Sequence, residues 1–416
     1  MKHEEAAIES PPSARNRNTF IVVTMVAAAH AINHANVALM PILYPSIMAN
    51  LRFDYSQLGL LLAISRIFGQ GFQWLAGYMG QFFRRKILVG FGAIFQGIFM
   101  GLTGSSANFF QLTVWHSLNR LAGSAQHPNG NALILEHFGK EARGRALAAH
   151  YAGGNVGTVF VPMIGAGLLA WLGWRGATVT FALPGIVIGS LLLFLVHEKK
   201  PGGAIVGGKA QKPHLGRDTL LVLKKRNMLF ILLAQAFAAG GRGLGVLITF
   251  VPLYLSQHLG LSTINTGLLY TSMLLGSVVG PALAGVISDR LRQRKFVLVT
   301  SYLGSTALTL LFIHAGHSSW GLPLVLFVLG CFVYAESPLL QSLAADSTEE
   351  LPKDMVFGVY FTIGFGSGAL WVFLLGLLVE KFGFLPAFYV MASSYVMGAL
   401  WIFFLKPGST TTPANA

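Results

Sequence analysis

The sequence predicts an all-α membrane protein whose twelve transmembrane helices form two pseudo-symmetric bundles of six. Three observations lead to this prediction: 54% of the 416 residues are apolar, only 11% are charged, and the apolar residues fall into runs of about 20. A soluble domain carries about 25% charged residues, and a chain this apolar would expose too much hydrophobic surface in water. The composition therefore excludes a soluble globular enzyme.

Twelve apolar runs are long enough to cross the hydrocarbon core of a bilayer as helices. Their expected bounds are roughly 19–47, 57–79, 87–104, 109–133, 146–172, 176–196, 228–256, 264–288, 296–314, 321–343, 355–379 and 384–405. The longest polar stretch follows the sixth run, is Gly-rich and basic, and is typical of a linker. The expected organisation is a cytoplasmic tail (1–18), an N-terminal bundle (19–197), a linker (198–227), a C-terminal bundle (228–406) and a second cytoplasmic tail (407–416).

The distribution of lysine and arginine over the loops predicts the orientation in the membrane. With the N-terminus in the cytoplasm, 23 of the 29 basic residues lie on that side, whereas the opposite loops contain Arg52, Arg175 and Lys381. We therefore expect a multi-pass protein of a bacterial-type inner membrane with both termini cytoplasmic. The net charge of +14 then faces anionic lipid headgroups, and nucleic-acid binding is not implied.

A repeated signature divides the chain into halves. GYMGQFFRRK begins at Gly77 and GVISDRLRQRK begins at Gly285, an offset of 208 residues. Pro128 in the fourth run and Pro338 in the tenth are 210 residues apart. Two six-helix halves related by duplication are the expected build of a large class of secondary transporters, with the substrate at the interface near the midplane.

The second copy of this signature resembles the loop signature of the major facilitator superfamily. That signature has a glycine, an Asp-Arg pair four residues later, and then basic residues. Gly285, Asp289, Arg290, Arg294 and Lys295 match it. The resemblance implies a transporter that alternates its access between the two sides of the membrane, with this loop forming part of the gate.

The first copy departs from the signature. Gly77, Arg85 and Lys86 match, but Gln81 and Phe82 stand where the Asp-Arg pair is expected. A glutamine can form hydrogen bonds but not an ion pair with a neighbouring helix. We therefore expect a weaker gate contact in the first half.

Shorter segments resemble the fosmidomycin-resistance branch of this superfamily, which consists of drug exporters. HAINHANVALMPILYPSI in the first run and HPNG in the fourth contain the matching residues His30, Asn33, Tyr44, Pro45, His127 and Pro128. Where the branch has an acid, this chain has His34. The fifth run has the glycines of the exporter motif but not its Gly-Pro dipeptide. The resemblance implies efflux of a small organic compound.

Three arginines lie near the middle of apolar runs: Arg66, Arg120 and Arg242. A charge near the bilayer centre costs about 3 kcal/mol on insertion scales, so such residues are candidates for function. In one shared cavity they would attract an anion, because a guanidinium forms paired hydrogen bonds with carboxylate, phosphate or phosphonate oxygens. The alternative is that each arginine binds carbonyls of a neighbouring helix and fixes packing.

Glu336 is the one acid well inside an apolar run, just before Pro338. A lone buried carboxylate is disfavoured as an anion and can load and release a proton as its exposure alternates. We therefore expect Glu336 to couple transport to protons. The alternative is a partner for an arginine, or a hydrogen-bond anchor where the proline breaks the helix.

His30 and His34 are four residues apart and share one helix face, which is a spacing found in metal sites. No third ligand is evident in the sequence, so we expect no metal site and instead a polar cavity face formed with Asn33. His127 precedes Pro128, which opens the helix, and is the best histidine for a proton relay. A structural role for His127 is equally compatible with the sequence.

These observations predict a monomeric, proton-coupled transporter of a small anionic or amphiphilic solute, working by efflux and without a cofactor. The glycine-rich stretches are typical of close helix packing and not of nucleotide loops, and no nucleophile and base are paired as in an enzyme. The alternatives are uptake of an organic anion and, from another class, a membrane sensor that does not transport.

Overall fold

The computed structural model describes residues 12–80, 82–138, 143–198, 220–315, 321–348 and 353–406, and these segments are helical apart from short connections. The first half contains α1 (Pro12–Leu51), α2 (Tyr55–Arg66), α3 (Gln73–Met79), α4 (Arg85–Gly104), α5 (Phe109–Gly123), α6 (Gln126–His137), α7 (Arg143–Val159) and α8 (Val161–Leu195). The second contains α9 (Arg226–Ala238), α10 (Ile248–Leu253), α11 (Thr263–Leu291), α12 (Arg294–His314), α13 (Gly321–Asp346), α14 (Lys353–Phe382) and α15 (Phe384–Phe403). Three π-helical segments join them: Ile67–Gly71, Gly243–Leu247 and Tyr254–His258.

Eight helical stretches in the described part are long and apolar enough to cross a membrane. They are Asn18–Leu51, Arg85–Gly104, Ala149–Leu195, Thr263–Leu291, Arg294–His314, Gly321–Asp346, Val356–Phe382 and Phe384–Phe403. An all-helical architecture follows because lipid offers no hydrogen bonds, so each backbone group must be satisfied within its own segment. The 47-residue stretch Ala149–Leu195 is long enough for two crossings, and it bends at Gly173, whose φ of 67° suits glycine.

The remaining predicted runs fall on interrupted helices. The second run lies on α2, the π-helical segment Ile67–Gly71 and α3; the fourth lies on α5 and α6. The seventh lies on α9, α10 and the two π-helical segments beside them. Such interruptions expose backbone groups and are frequent at functional sites.

The same hydrogen bonds recur in both halves and support an internal duplication. Asn18 donates to the carbonyl of His197 (3.2 Å) and accepts from its backbone N–H (3.4 Å). Asn227 makes the same two bonds with Lys406, at 3.2 and 3.1 Å. Lys86 and Lys295 likewise each donate two hydrogen bonds to carbonyls at the end of the sixth and the twelfth predicted run.

Residues of the two predicted gating loops also form ion pairs in both halves. Arg85 forms an ion pair with Glu136, and Arg294 forms one with Asp346. In the second half Asp289 adds a further carboxylate 3.6 Å from Arg294. The carboxylate that pairs with Arg85 in the first half is thus Glu136, which is not part of the loop signature. Gln81 lies outside the described residues.

Three other residues of the predicted gating loops form no ion pair in the described part of the chain. Arg290 is exposed at the end of α11. A side chain added at Gly77 would touch Pro128, so α3 and α6 approach closely there, whereas Gly285 faces open space.

The halves contact each other at one end of the molecule. The backbone N–H of Tyr55 donates to Glu380 at 3.0 Å, and the Tyr55 ring lies 5.3 Å from that of Phe384. Near this contact, Gly59 lies directly against the backbone of α14. We call this end the closed end; the Arg85–Glu136 and Arg294–Asp346 pairs, each inside a single half, lie at the other end.

Glycines permit the closest helix crossings, and Gly330 provides a test. A methyl group at Gly330 would collide with the Met273 carbonyl, because α11 and α13 touch there. We expect Gly330→Ala to lower the detergent melting temperature of the purified protein, consistent with an overpacking penalty of about 1–3 kcal/mol. The control is Gly285→Ala in α11, which meets no neighbour and gains helix propensity. Equal melting temperatures for the two variants would contradict this packing argument.

Candidate functional site

A cavity lies between the two halves, toward the middle of the predicted membrane spans. Its volume is about 100 Å³. Most of its lining comes from α1, the α2 region and α5, while Gly245, Ile248, Thr249, Tyr270 and Leu274 complete it from the second half.

Two of the three predicted arginines, Arg66 and Arg120, line this cavity. Among the described residues, neither guanidinium has a carboxylate within 4.0 Å. Two cations placed together without a counter-charge produce a strongly positive site.

Arg66 reaches across to the second half. Its guanidinium lies against Gly245 and near Gly368, and any side chain at Gly245 would overlap it. Gly245 has a φ of 117°, which strongly favours glycine. The π-helical segment that carries Gly245 therefore bounds the cavity directly at the Arg66 guanidinium.

Arg242 differs from the expectation of three cavity arginines, because it is absent from the cavity lining. Its Nε donates to Glu336 Oε1 at 2.8 Å, and its other nitrogens donate to the carbonyls of Gly364 and Gln235. Glu336 is 2% exposed and pairs with Arg242, which is 17% exposed, so it is not a lone carboxylate but the buried partner of an ion pair. The sequence predicts how deep Arg242 lies in the membrane. It does not predict which way the side chain points, because the helix is interrupted at the end of α9.

Four histidines gather on the N-terminal half beside the cavity. The His30 ring lies 4.5 Å from that of His34, 4.9 Å from that of His127 and 4.1 Å from that of His150. His34 and His127 line the cavity, whereas His30 lies behind them. Asn33 also lines it and donates to the Gly123 carbonyl at 3.0 Å.

The expectation of no metal site depended on the absence of a third ligand, and the structure brings a third histidine beside the pair. Single nitrogens of His30, His34 and His127 all lie within 4.8 Å of one another. His127 belongs to α6, and the sequence alone could not show that this helix packs its histidine against the α1 pair.

Sequence reasoning missed the part played by Tyr44 and His116 in the cavity wall. The Tyr44 hydroxyl lies 3.4 Å from His116 Nε2, and both residues line the cavity. The available signal was spacing: His116 precedes Arg120 by four residues, so both lie on one face of α5. They add hydrogen-bonding groups beside the two guanidinium groups.

Comparisons with known proteins agree with this architecture. The sequence profile of the Major Facilitator Superfamily matches residues 25–267 and 231–416. The Fosmidomycin resistance protein of Escherichia coli (strain K12) is 22% identical over 402 residues, 94% of each chain. The Probable L-galactonate transporter of the same organism is 23% identical over 337 residues, 77% of this chain and 74% of the relative.

A solved structure shares the fold. The D-xylose-proton symporter superposes with a TM-score of 0.76 at 14% identity, over 94% of this chain and 98% of that one. The resemblance inferred from the loop signature, and the similarity to the fosmidomycin-resistance branch, are thereby confirmed. The protein is a multi-pass membrane transporter and not an enzyme. The chain belongs to the Major Facilitator Superfamily.

Proposed function

We propose that the protein moves a small organic anion across the membrane by alternating access, coupled to protons and working by efflux. The observation that carries this proposal is the pair of cavity arginines, Arg66 and Arg120, which lack a carboxylate partner among the described residues. An anionic solute would supply the missing charge and form charge-assisted hydrogen bonds with both guanidinium groups. His34 and Asn33 would complete the polar wall.

The topology we propose has twelve spans in two bundles of six, with residues 198–227 as the linker and both tails in the cytoplasm of an inner membrane. The eight long apolar helices and the interrupted ones at the second, fourth and seventh predicted runs together support this count. In this orientation the closed end would face outward, and the cavity would open toward the cytoplasm. The Arg85–Glu136 and Arg294–Asp346 pairs at the other end would then belong to the gate. We propose a monomer as the working unit.

We propose that the Arg242–Glu336 pair couples transport to protons. Protonation of Glu336 would weaken its hold on Arg242, which immediately precedes the π-helical segment Gly243–Leu247. That segment carries Gly245, against which Arg66 lies. Protonation of Glu336 would thus change the position of Arg242, and this movement would be transmitted to Arg66 through the short segment Gly243–Leu247.

We propose efflux as the direction of transport, with uptake as the alternative. Efflux is favoured by the relative named for fosmidomycin resistance, which matches along nearly the whole chain. Uptake is the alternative, since another relative is named for L-galactonate, itself a carboxylate, and a structural neighbour is a proton symporter. A sensor that binds without transporting is the candidate from another class.

Reconstituted protein distinguishes these functions. We expect fosmidomycin or L-galactonate, screened as anionic probes with other carboxylates and phosphonates, to raise the melting temperature of the purified protein. A stabilising anion, labelled and loaded into proteoliposomes, should then move when a pH gradient is imposed. Stabilisation without flux would favour the sensor, and stabilisation by neutral or cationic solutes instead of anions would contradict the proposal. The sign of the pH gradient that drives accumulation reports whether protons and substrate move in opposite or equal directions.

A further inference from the structure

We propose that His30, His34 and His127 form a binding site for a divalent transition-metal ion of the zinc, cobalt and nickel class. One ring nitrogen of each histidine lies within 4.8 Å of one ring nitrogen of the other two. Nitrogens that share a tetrahedral zinc ion at 2.0–2.1 Å lie about 3.3 Å apart, so small side-chain rotations would close the site. Imidazole nitrogen is a preferred ligand of these ions.

The hydrogen bonds of His30 fix which of its nitrogens is free. Its Nδ1 lies 3.0 Å from the carbonyl oxygen of His150, and a carbonyl can only accept. Nδ1 therefore carries the proton, and Nε2 keeps its lone pair. Nε2 is buried without a hydrogen-bond partner, in a residue that is 1% exposed. A buried lone pair without a partner is costly unless something occupies it.

The bonds of His34 give the same result. Thr158 donates its hydroxyl proton to the Gly154 carbonyl, so its oxygen can only accept from His34 Nδ1 at 3.0 Å. Nδ1 again carries the proton, and Nε2 again keeps its lone pair. Metal-binding histidines almost always donate their second ring N–H to an oxygen in this way, which orients the ring toward the metal.

The third histidine arrives from another helix and leaves one side of the site open. His127 lies on α6, whereas His30 and His34 lie one helical turn apart on α1. His34 and His127 line the cavity and His30 lies behind them, so the free coordination position faces the cavity. Three histidines with an open position resemble catalytic more than structural metal sites, and they leave room for an exogenous ligand.

Arg120 lies near His34 and His127 and opposes a bare cation there. This repulsion provides a test of where the metal ion binds. A metal ion between the three histidines should bind more tightly when Arg120 becomes neutral, whereas a metal ion bound at a surface histidine should be unaffected.

Cobalt is the probe that reports both binding and coordination. Full-length protein, purified in detergent with a tag that contains no histidine, would be titrated with Co²⁺ alone and followed by visible absorption, with Zn²⁺ as competitor. We expect one Co²⁺ per chain with the intense absorption of a four-coordinate ion, displaced by Zn²⁺. His34→Gln and His127→Gln should each abolish this absorption, and Arg120→Gln should raise the Co²⁺ affinity.

Two further variants separate a metal site from general damage. Thr158→Val removes the acceptor that orients His34 and should weaken Co²⁺ binding by about 10-fold, as for other residues that hold a metal ligand in place. His116→Gln changes a cavity histidine outside the cluster and should leave the absorption unchanged. Unmodified protein without this absorption, or His34→Gln and His127→Gln proteins that retain it, would overturn the proposal. Melting temperatures measured without metal verify that each variant is folded.

Discussion

Neutralising the two cavity arginines is expected to abolish anion binding while leaving the protein folded. Arg66 and Arg120 face the cavity, and no described carboxylate lies within 4.0 Å of either. A hydrogen bond to a charged group contributes about 1.5–3 kcal/mol, so Arg66→Gln or Arg120→Gln should each weaken binding roughly 10- to 100-fold. The double variant should show no saturable binding, measured by thermal shift and by uptake into proteoliposomes.

The melting temperature of the ligand-free protein separates lost binding from lost structure. Removing one of two neighbouring cations relieves their repulsion, so Arg66→Gln and Arg120→Gln should melt at the same temperature as the unmodified protein or higher. Arg66→Lys keeps the charge but loses the planar fork, and should bind the anion more weakly than the unmodified protein. Arg52→Gln, in the loop before α2, is the control for a lost surface charge. Undiminished anion affinity in the double variant would contradict an anion site at these arginines.

The three intramembrane arginines show how far sequence reasoning reaches. Composition and run length place Arg66, Arg120 and Arg242 at similar depth, because helix rise per residue is constant. Which way each side chain points depends on rotation about the helix axis and on local breaks. Arg66 and Arg242 both precede a π-helical segment, but Arg242 also follows two glycines after α9 and binds Glu336, whereas Arg66 lines the cavity.

The histidine cluster shows a different limit of prediction from sequence, namely contacts between residues far apart in the chain. The spacing of His30 and His34 on one helix is visible in the sequence, because their contact is local. His127 comes from residues about 90 positions later, and only packing of α6 against α1 brings it to the pair. The internal duplication is likewise visible as a motif, but the matching hydrogen bonds of Asn18 and Asn227 are not, because each joins the two ends of its half.

Glu336→Gln is expected to abolish transport driven by a pH gradient. Glutamine keeps the shape of the side chain and one hydrogen-bond acceptor, but it cannot take up and release a proton at Glu336. In the structure this substitution also leaves the partly buried Arg242 without its counter-charge. Loss of one partner of a buried pair destabilises a protein by about 3–5 kcal/mol, so the single variant should melt at a lower temperature. Its transport defect therefore has two possible sources: lost coupling and lost structure.

The double variant Arg242→Gln/Glu336→Gln separates these sources. It leaves no unpaired buried charge, and replacing both partners of a buried pair is often nearly neutral for stability. We expect it to regain most of the melting temperature, to exchange substrate between equal pools nearly as fast as the unmodified protein, and to accumulate none when a pH gradient is imposed. Exchange needs no proton movement, so it reports binding and alternation alone. Accumulation that survives in the double variant would show that the proton travels elsewhere. Loss of exchange despite restored stability would mean instead that the pair acts in binding or alternation, since the coupling hypothesis requires uncoupled exchange to continue.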